Sequence, residues 1–379
     1  MAKIDYPIGK LWRNIQKSLF PELEEMVGEL SEKERKFIMI CELCAEALES
    51  AMKSYKWQGL GRPPAERMAI AKSFIAKAVY GIATTEGLVE YLNGNPSLRR
   101  MCGWESVGEI PSESTFSRAF GDFAEGKLPE KVHEAIVKAH GSRKVGGHIS
   151  RDSTAIEARE KAVKKPVAEK TEQFAKKKGR PRQGEQREKP DKEMKRLERQ
   201  IKLTLMENLD GLPRKCDWGC KRNSDGKKTM WKGYKLHVDT MDGDIPVSAI
   251  LTSASLHDSQ AAIPLAQMST ERVTNFYDLM ARHAPRVDSA YDAGAIREYS
   301  EKLGHIAIID TNPRGGEKMP MEPAQARRYN ERSTAERIFA YLENYGAYTF
   351  RVRGAAKVMC HLMFAVLALT AQQIFHLIL

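Results

Sequence analysis

Residues 329–343 hold the side chains best suited to chemistry. Tyr329, Arg332 and Glu336 follow the spacing Y-x2-R-x3-E. On a helix, positions three, four and seven apart share a face. The spacing therefore predicts a ring, a guanidinium and a carboxylate turned toward one ligand. Beside an arginine that forks onto a phosphate, a carboxylate serves best as a metal ligand. Two isolated aspartates upstream complete the set: Asp152 in Ile149-Ser-Arg-Asp-Ser-Thr and Asp288 in Val287-Asp-Ser-Ala-Tyr-Asp. Three carboxylates and a phosphate clamp form a candidate two-metal phosphoryl-transfer site. Each acid also has a plainer reading. Asp152 could cap a turn through Ser153 and Thr154, Asp288 could sit in a surface turn ahead of Asp292 as N-cap, and Glu336 could simply pair with Arg332. Asp258, beside His257, is the rival metal ligand; the expected role of both is to orient the ligands from behind.

To present these residues the chain needs a sheet. Residues 148–151 read as a first strand leading to Asp152, and 285–290 as a short strand ending at Asp288. Residues 234–240 alternate, Asp242-Gly243-Asp244 reads as a hairpin turn, and 245–252 as the return strand. Residues 305–310 read as a buried strand. Helices are expected over 258–268, 271–283 and 292–303, with long ones over 322–345 and 355–379. This order predicts an α/β fold, a mixed sheet flanked by helices. Upstream the pattern is all helical, over 32–55, 65–81, 85–93 and 97–102. Residues 110–120 look like a capped helix start with Ser112 or Ser114 as N-cap. Arg118 makes that helix a candidate recognition helix; an ordinary helix of a helical domain is the alternative. The expected division is a helical segment over 1–60, a helical DNA-binding domain over 61–142, and a catalytic domain over 143–379 with a basic insertion over 159–230.

The net charge of +11 and pI of about 9.2 favour a polyanionic partner. Residues 159–200 hold 16 Lys or Arg against 8 Asp or Glu. Most of the excess charge thus lies on what reads as an exposed arm, partly helical over 191–209. Within it, Lys178, Arg180 and Arg182 belong to Lys177-Lys-Gly-Arg-Pro-Arg, which resembles the short AT-hook element of the minor groove. Sequence-independent phosphate binding is the stronger expectation. The six cysteines are scattered, as in a reducing compartment. Cys41 and Cys44 with Cys216 and Cys220 could hold zinc, but idle or buried thiols are the default. The N-terminus lacks the apolar stretch of a signal peptide. The apolar run 358–379 is interrupted by His361, Gln372, Gln373 and His376, so a buried helix is expected rather than a membrane span, and a cytoplasmic location follows.

Taken in order, these pieces resemble the DDE transposases of bacterial insertion sequences, in the superfamily with the YREK signature. In the N-terminal half the likeness rests on Thr84-Thr-Glu-Gly-Leu-Val-Glu-Tyr-Leu, Leu98-Arg-Arg-Met-Cys-Gly-Trp and Pro111-Ser-Glu-Ser-Thr-Phe-Ser-Arg. Further on it rests on Asp152-Ser-Thr, Lys232-Gly-Tyr-Lys-Leu-His, His257-Asp-Ser, Asp288-x2-Tyr-Asp292 and Tyr329-x2-Arg-x3-Glu336. The resemblance implies an RNase H-like catalytic domain after a helical transposase domain, and cut-and-paste chemistry on terminal inverted repeats. It implies two Mg2+ ions, with Mn2+ as substitute: Asp152 bridging both, Asp288 and Glu336 each holding one. Tyr329 and Arg332 would contact the DNA backbone, and a homodimer would hold paired element ends. The signature's lysine falls at Glu343, so Arg337, Arg351 or Arg353 must supply that contact if it is made. Ala290 stands where a glycine is common. The short interval from Asp288 to Glu336 places any large insertion after the first strand instead. The alternative reading is an inactive DNA-binding or repressor relic of such an element.

Overall fold

The computed structural model describes residues 30–55, 63–141, 147–163, 195–222, 227–280, 291, 293–309 and 320–378. Among the described residues six α-helices precede the sheet: α1 (Glu32–Met52), α2 (Arg67–Val79), α3 (Thr85–Gly94), α4 (Pro96–Cys102), α5 (Glu113–Glu125) and α6 (Leu128–Gly141). Then follow β1 (His148–Glu157), α7 (Arg196–Gln200), α8 (Leu205–Asp210), β2 (Asp217–Arg222), β3 (Lys228–Met241) and β4 (Ile245–Ser253). The chain continues through α9 (Ser259–Thr270), β5 (Tyr277–Met280), α10 (Gly294–Lys302) and β6 (Ile306–Ile309). It closes with α11 (Pro323–Asn330), α12 (Ser333–Asn344) and α13 (Ala355–Ile378).

The sheet is mixed. β1 runs antiparallel to β3 and parallel to β5, which is in turn parallel to β6. β4 pairs antiparallel with the same half of β3 that faces β1, so β4 must lie on the far edge of β3. The order β4-β3-β1-β5-β6, an antiparallel meander extended by parallel strands through helices, is the RNase H-like arrangement. β2 pairs with the N-terminal half of β3. At Gly233 of β3 no side chain fits, because a Cβ there would run into the Ile156 carbonyl oxygen of β1. The β3–β4 turn is the expected Asp242-Gly243-Asp244, with Gly243 at φ 84° and Asp244 at φ 57°.

The N-terminal helices and one face of the sheet share a single core. Phe74 of α2 meets Phe116, Phe120 and Phe123 of α5 and Phe364 of α13. The same cluster continues into Leu236, Val238, Val247 and Ala249 of β3 and β4. α13 is long and apolar enough to cross a membrane by length and composition, but 72% of its apolar stretch is buried inside the fold. α1 is opened by a capping box, Ser31 with Glu34. It carries Cys41 and Cys44, whose thiols burial pushes up, the latter to about 12.

The helices over 32–55, 65–81, 85–93, 97–102 and 292–303 form as expected, within a residue or two at most ends. The structure corrects the pattern elsewhere. The sequence pattern predicts a helix over 271–283, yet Tyr277–Met280 is β5. A short strand between two parallel neighbours reads as an apolar run without alternation, which local pattern does not separate from helix. Asp278 is tolerated inside it because Ser300 Oγ (2.8 Å), Asn275 Nδ2 (3.0 Å) and His305 Nδ1 (3.3 Å) surround its carboxylate. Burial works to raise its pKa, but His305, Arg151 and Ser300 hold it below the ordinary value. The strand expected over 285–290 lies outside the described residues. β1 runs through Asp152 rather than ending before it. β2 was not foreseen: its polar sequence shows no strand pattern, and pairing with β3 makes it one. Part of the basic insertion is folded against the body, with Gln200 Nε2 donating to Gln260 O (2.8 Å) and Asn208 Nδ2 to Gln267 Oε1 (2.9 Å). The long helix expected over 322–345 breaks into α11 and α12 at Glu331–Arg332. There the Glu331 carbonyl accepts from Thr334 N–H (3.0 Å) and from Ser150 Oγ of β1 (3.4 Å).

Candidate active site

Successive residues of a strand face opposite ways, so Arg151 and Asp152 serve different surfaces of the sheet. Asp152 is buried and its Oδ1 accepts the N–H of Ser153 at 2.7 Å. Ser150 shares its face and reaches the α11–α12 junction. That face of β1 therefore looks at the segment carrying Tyr329, Arg332 and Glu336.

At the junction Arg332 donates to Glu336 Oε1 at 2.6 Å, four residues on. The Tyr329 ring lies 5.1 Å from the guanidinium, a cation–π contact. Burial works against the Arg332 charge, but Tyr329, Glu336 and Asp152 outweigh it and raise its pKa. Charges from β1 and from α12 thus meet on one guanidinium. The expected ion pair between Glu336 and Arg332 exists, and it stands in the field of Asp152. Arg337, the next residue, turns away: it binds Asp244 of the β3–β4 turn (2.6–3.2 Å) and Ser333 Oγ (2.9 Å). Glu343, Arg351 and Arg353 are exposed, as is Arg118 on α5, whose guanidinium reaches Thr115 Oγ1 at 3.4 Å.

Beneath α9 the opposite face is polar. Arg151 binds Asp239 of β3 through two hydrogen bonds of 2.7 Å, and Ser269 Oγ donates to the same carboxylate. Beside it, Asp258 accepts from Lys235 Nζ (2.9 Å) and lies 4.0 Å from His237 Nδ1. His237 Nε2 meets Thr252 Oγ1 (2.9 Å), and His257 Nδ1 meets Ser259 Oγ (2.7 Å). Tyr291 is fully buried, and its hydroxyl has no hydrogen-bond partner among the described residues. Burial pushes its pKa up, helped by Asp258 and then Asp152. Lys235, His237 and Tyr291 carried no assigned role in the sequence. The signal was present: Lys235, His237 and Asp239 alternate onto one face of β3.

The structure thus brings Asp152, Tyr329, Arg332 and Glu336 together and sets Asp258 beside Lys235 and His237. Asp288, Lys178, Arg180 and Arg182 lie outside the described residues. Among the described residues no three His, Cys, Asp or Glu side chains form a metal-holding group.

Two family matches cover most of this architecture. Residues 28–122 match the family described as Transposase domain (DUF772), and residues 149–371 match that described as Transposase DDE domain. No curated protein and no solved structure gives a significant match. The second family spans more than half of the chain, from the first residues of the sheet to the last helix. The chain belongs to the DDE transposases of insertion sequences.

Proposed function

We propose that this transposase binds the terminal inverted repeats of its element and catalyses metal-dependent strand cleavage and strand transfer, with Asp152, Asp288 and Glu336 as ligands of two Mg2+ ions. One observation carries the reading: Asp152 from β1 and Glu336 from α12 act on the same guanidinium, that of Arg332. Asp288 is included on sequence, and Tyr291, three positions later, supports it, since its buried hydroxyl feels the charges of Asp152 and Asp258.

The donor set fits the ions. Carboxylate oxygens are hard ligands suited to Mg2+ or Mn2+, and Asp152 and Glu336 both bear on the Arg332 guanidinium. When bound, such ions supply an activated water or 3′-hydroxyl and stabilise the leaving oxygen. The chain's own residues do the positioning. Asp152 is buried in a strand paired on both sides. Glu336, exposed on the first turn of α12, is free to turn once Arg332 releases it. Arg332 offers a planar fork to a phosphate, braced by Tyr329. Asp258, tied to Lys235 and close to His237, backs the strands that carry the acids, and His257 stands beside it. Arg337 is engaged by Asp244, so its first part is to tie α12 to the hairpin, and Arg351 or Arg353 is the better substitute for the missing lysine. Arg118 and the basic residues Lys178, Arg180 and Arg182 would add phosphate contacts, and two copies would hold paired ends.

The test is cleavage of a supercoiled plasmid carrying the flanking element ends, by wild type and Glu336→Gln, with Mg2+ and with EDTA. Nicking or excision that needs both metal and Glu336 is expected, and joining to target DNA should follow in a strand-transfer assay. One observation favours a second reading, a DNA-binding relic: Glu343 places an exposed acid where a DNA contact is expected. Binding without cleavage under all conditions would select it.

A further inference from the structure

The N-terminal helices meet the C-terminal segment at a cavity of about 240 Å3, and of its lining only Arg351 has a role assigned above. Its apolar wall is Phe74, Phe120 and Phe350. Into this wall projects Lys77 of α2, only 7% exposed. Its ammonium makes no hydrogen bond or ion pair among the described residues. A desolvated charge without a partner is costly. Its neighbour His361 gives it no counter-charge. Burial, and then the charge of Lys77 itself, pull that imidazole down to about 3, while its Nε2 meets the Gly346 carbonyl at 3.1 Å. A second cation, Arg351, lines the same cavity from the exposed side.

Two helices begin here. Thr85 and Glu86 are the first residues of α3, and Glu113 is the first of α5; all three line the cavity. The Thr84 side chain caps the amide of Gly87 at 3.0 Å, which leaves the amides of Thr85 and Glu86 without a partner inside the helix. Helix N-termini attract anions. The carboxylates of Glu86 and Glu113 are both exposed, so their charges face water, and neither pairs with Lys77 within ion-pair distance. The volume falls below the roughly 300–1,000 Å3 of sites for drug-sized molecules. It suits one phosphate group rather than a whole nucleotide.

We propose that this seam between the N-terminal helices and the segment after α12 is a phosphate-binding site, with Lys77 at its base and Arg351 at its mouth. The phosphate is a backbone phosphodiester of bound DNA, which rests on the function proposed above, or a free phosphate with the same chemistry. If it is DNA, the site joins the two family regions through one ligand.

The test uses the full chain without divalent metal, so a failure of catalysis leaves it untouched. The unfolding midpoint is compared in inorganic phosphate and in chloride of equal ionic strength, and the salt dependence of binding to a random-sequence duplex is measured. Wild type is set beside Lys77→Met, Lys77→Arg and Arg351→Gln. Phosphate-specific stabilisation is expected in wild type and Lys77→Arg and is expected to vanish in Lys77→Met. If the ligand is DNA, Lys77→Met and Arg351→Gln also each flatten the log–log salt slope, by roughly 0.9 for one lost phosphate contact. Loss of phosphate stabilisation with an unchanged duplex slope identifies the free anion. Phosphate stabilisation and duplex slope both unchanged in Lys77→Met would overturn the site. Arg351 is exposed, so if Lys77→Met folds poorly the phosphate stabilisation of Arg351→Gln decides: a reduced value supports the site, and a value equal to wild type overturns it.

Discussion

Two arginine–carboxylate pairs lie against opposite faces of β1: Arg151 with Asp239 on one, and Arg332 with Glu336 on the face of Asp152. Arg151 and Asp239 are 2% and 0% exposed at the side chain, with two hydrogen bonds of 2.7 Å and Ser269 completing the carboxylate. Arg332 and Glu336 are 28% and 57% exposed and joined by one bond of 2.6 Å. The chemistry is the same and the environment is not. The buried pair is enclosed by β3 and α9, so each charge depends on the other. The open pair keeps one side toward solvent, and its arginine is shared with Asp152. A pair locked on all sides can only support the fold. A pair that can be opened at little cost can exchange its partners for a phosphate and a metal.

Four outcomes test this contrast. The largest concerns catalysis. Asp152→Asn and Glu336→Gln should each bring metal-dependent strand cleavage down to background, while Glu336→Gln shifts unfolding free energy by less than about 0.5 kcal/mol. The second concerns the buried pair. Asp239→Asn strands the Arg151 charge and should destabilise by roughly 3–5 kcal/mol in denaturant unfolding, whereas replacing both residues with apolar ones should cost far less. The third separates interior from surface by acid. Burial chiefly, and then Arg272, hold His133 at about 3, although its Nε2 lies 3.1 Å from the Pro246 carbonyl. The folded state therefore leaves it neutral where the unfolded chain protonates it. Stability should fall as pH drops from about 6.5 toward 3, by at most roughly 1.4 kcal/mol per pH unit. His361, likewise at about 3, adds a similar slope. His133→Gln should flatten the dependence, seen by chemical denaturation across that range. The smallest effect is the stability change of Arg332→Gln, expected below about 0.5 kcal/mol even as DNA cleavage is lost. A cost like that of Asp239→Asn would make the open pair structural and remove the contrast.

The two pairs were not equally visible beforehand. Arg332 and Glu336 stand four apart, and helical periodicity alone brings them together. Arg151 and Asp239 are joined only because the β1–β3 register sets them opposite each other, and nothing local encodes that register. Tyr291 belongs to a legible motif, but its burial depends on a cluster with Met280, Ile296 and Ile309, far apart in sequence. Asp278, unremarked in the sequence, proves to be the polar centre of β5.

What the sequence determined by itself were features with a short-range cause: the capped start of α5 at Ser112, the Asp242-Gly243-Asp244 turn, the run of amphipathic helices, and the motif residues with their order. Caps, turns and helical faces are decided by neighbours a few positions away, so their residues announce them. Tertiary structure alone decided that Tyr277–Met280 is a strand, that residues 217–222 join the sheet, and that a long helical run breaks at Glu331–Arg332 where Ser150 reaches its carbonyl. Each is settled by a partner far along the chain. The same is true of Arg332, which feels both Asp152 and Glu336 only because the fold holds β1 against the α11–α12 junction.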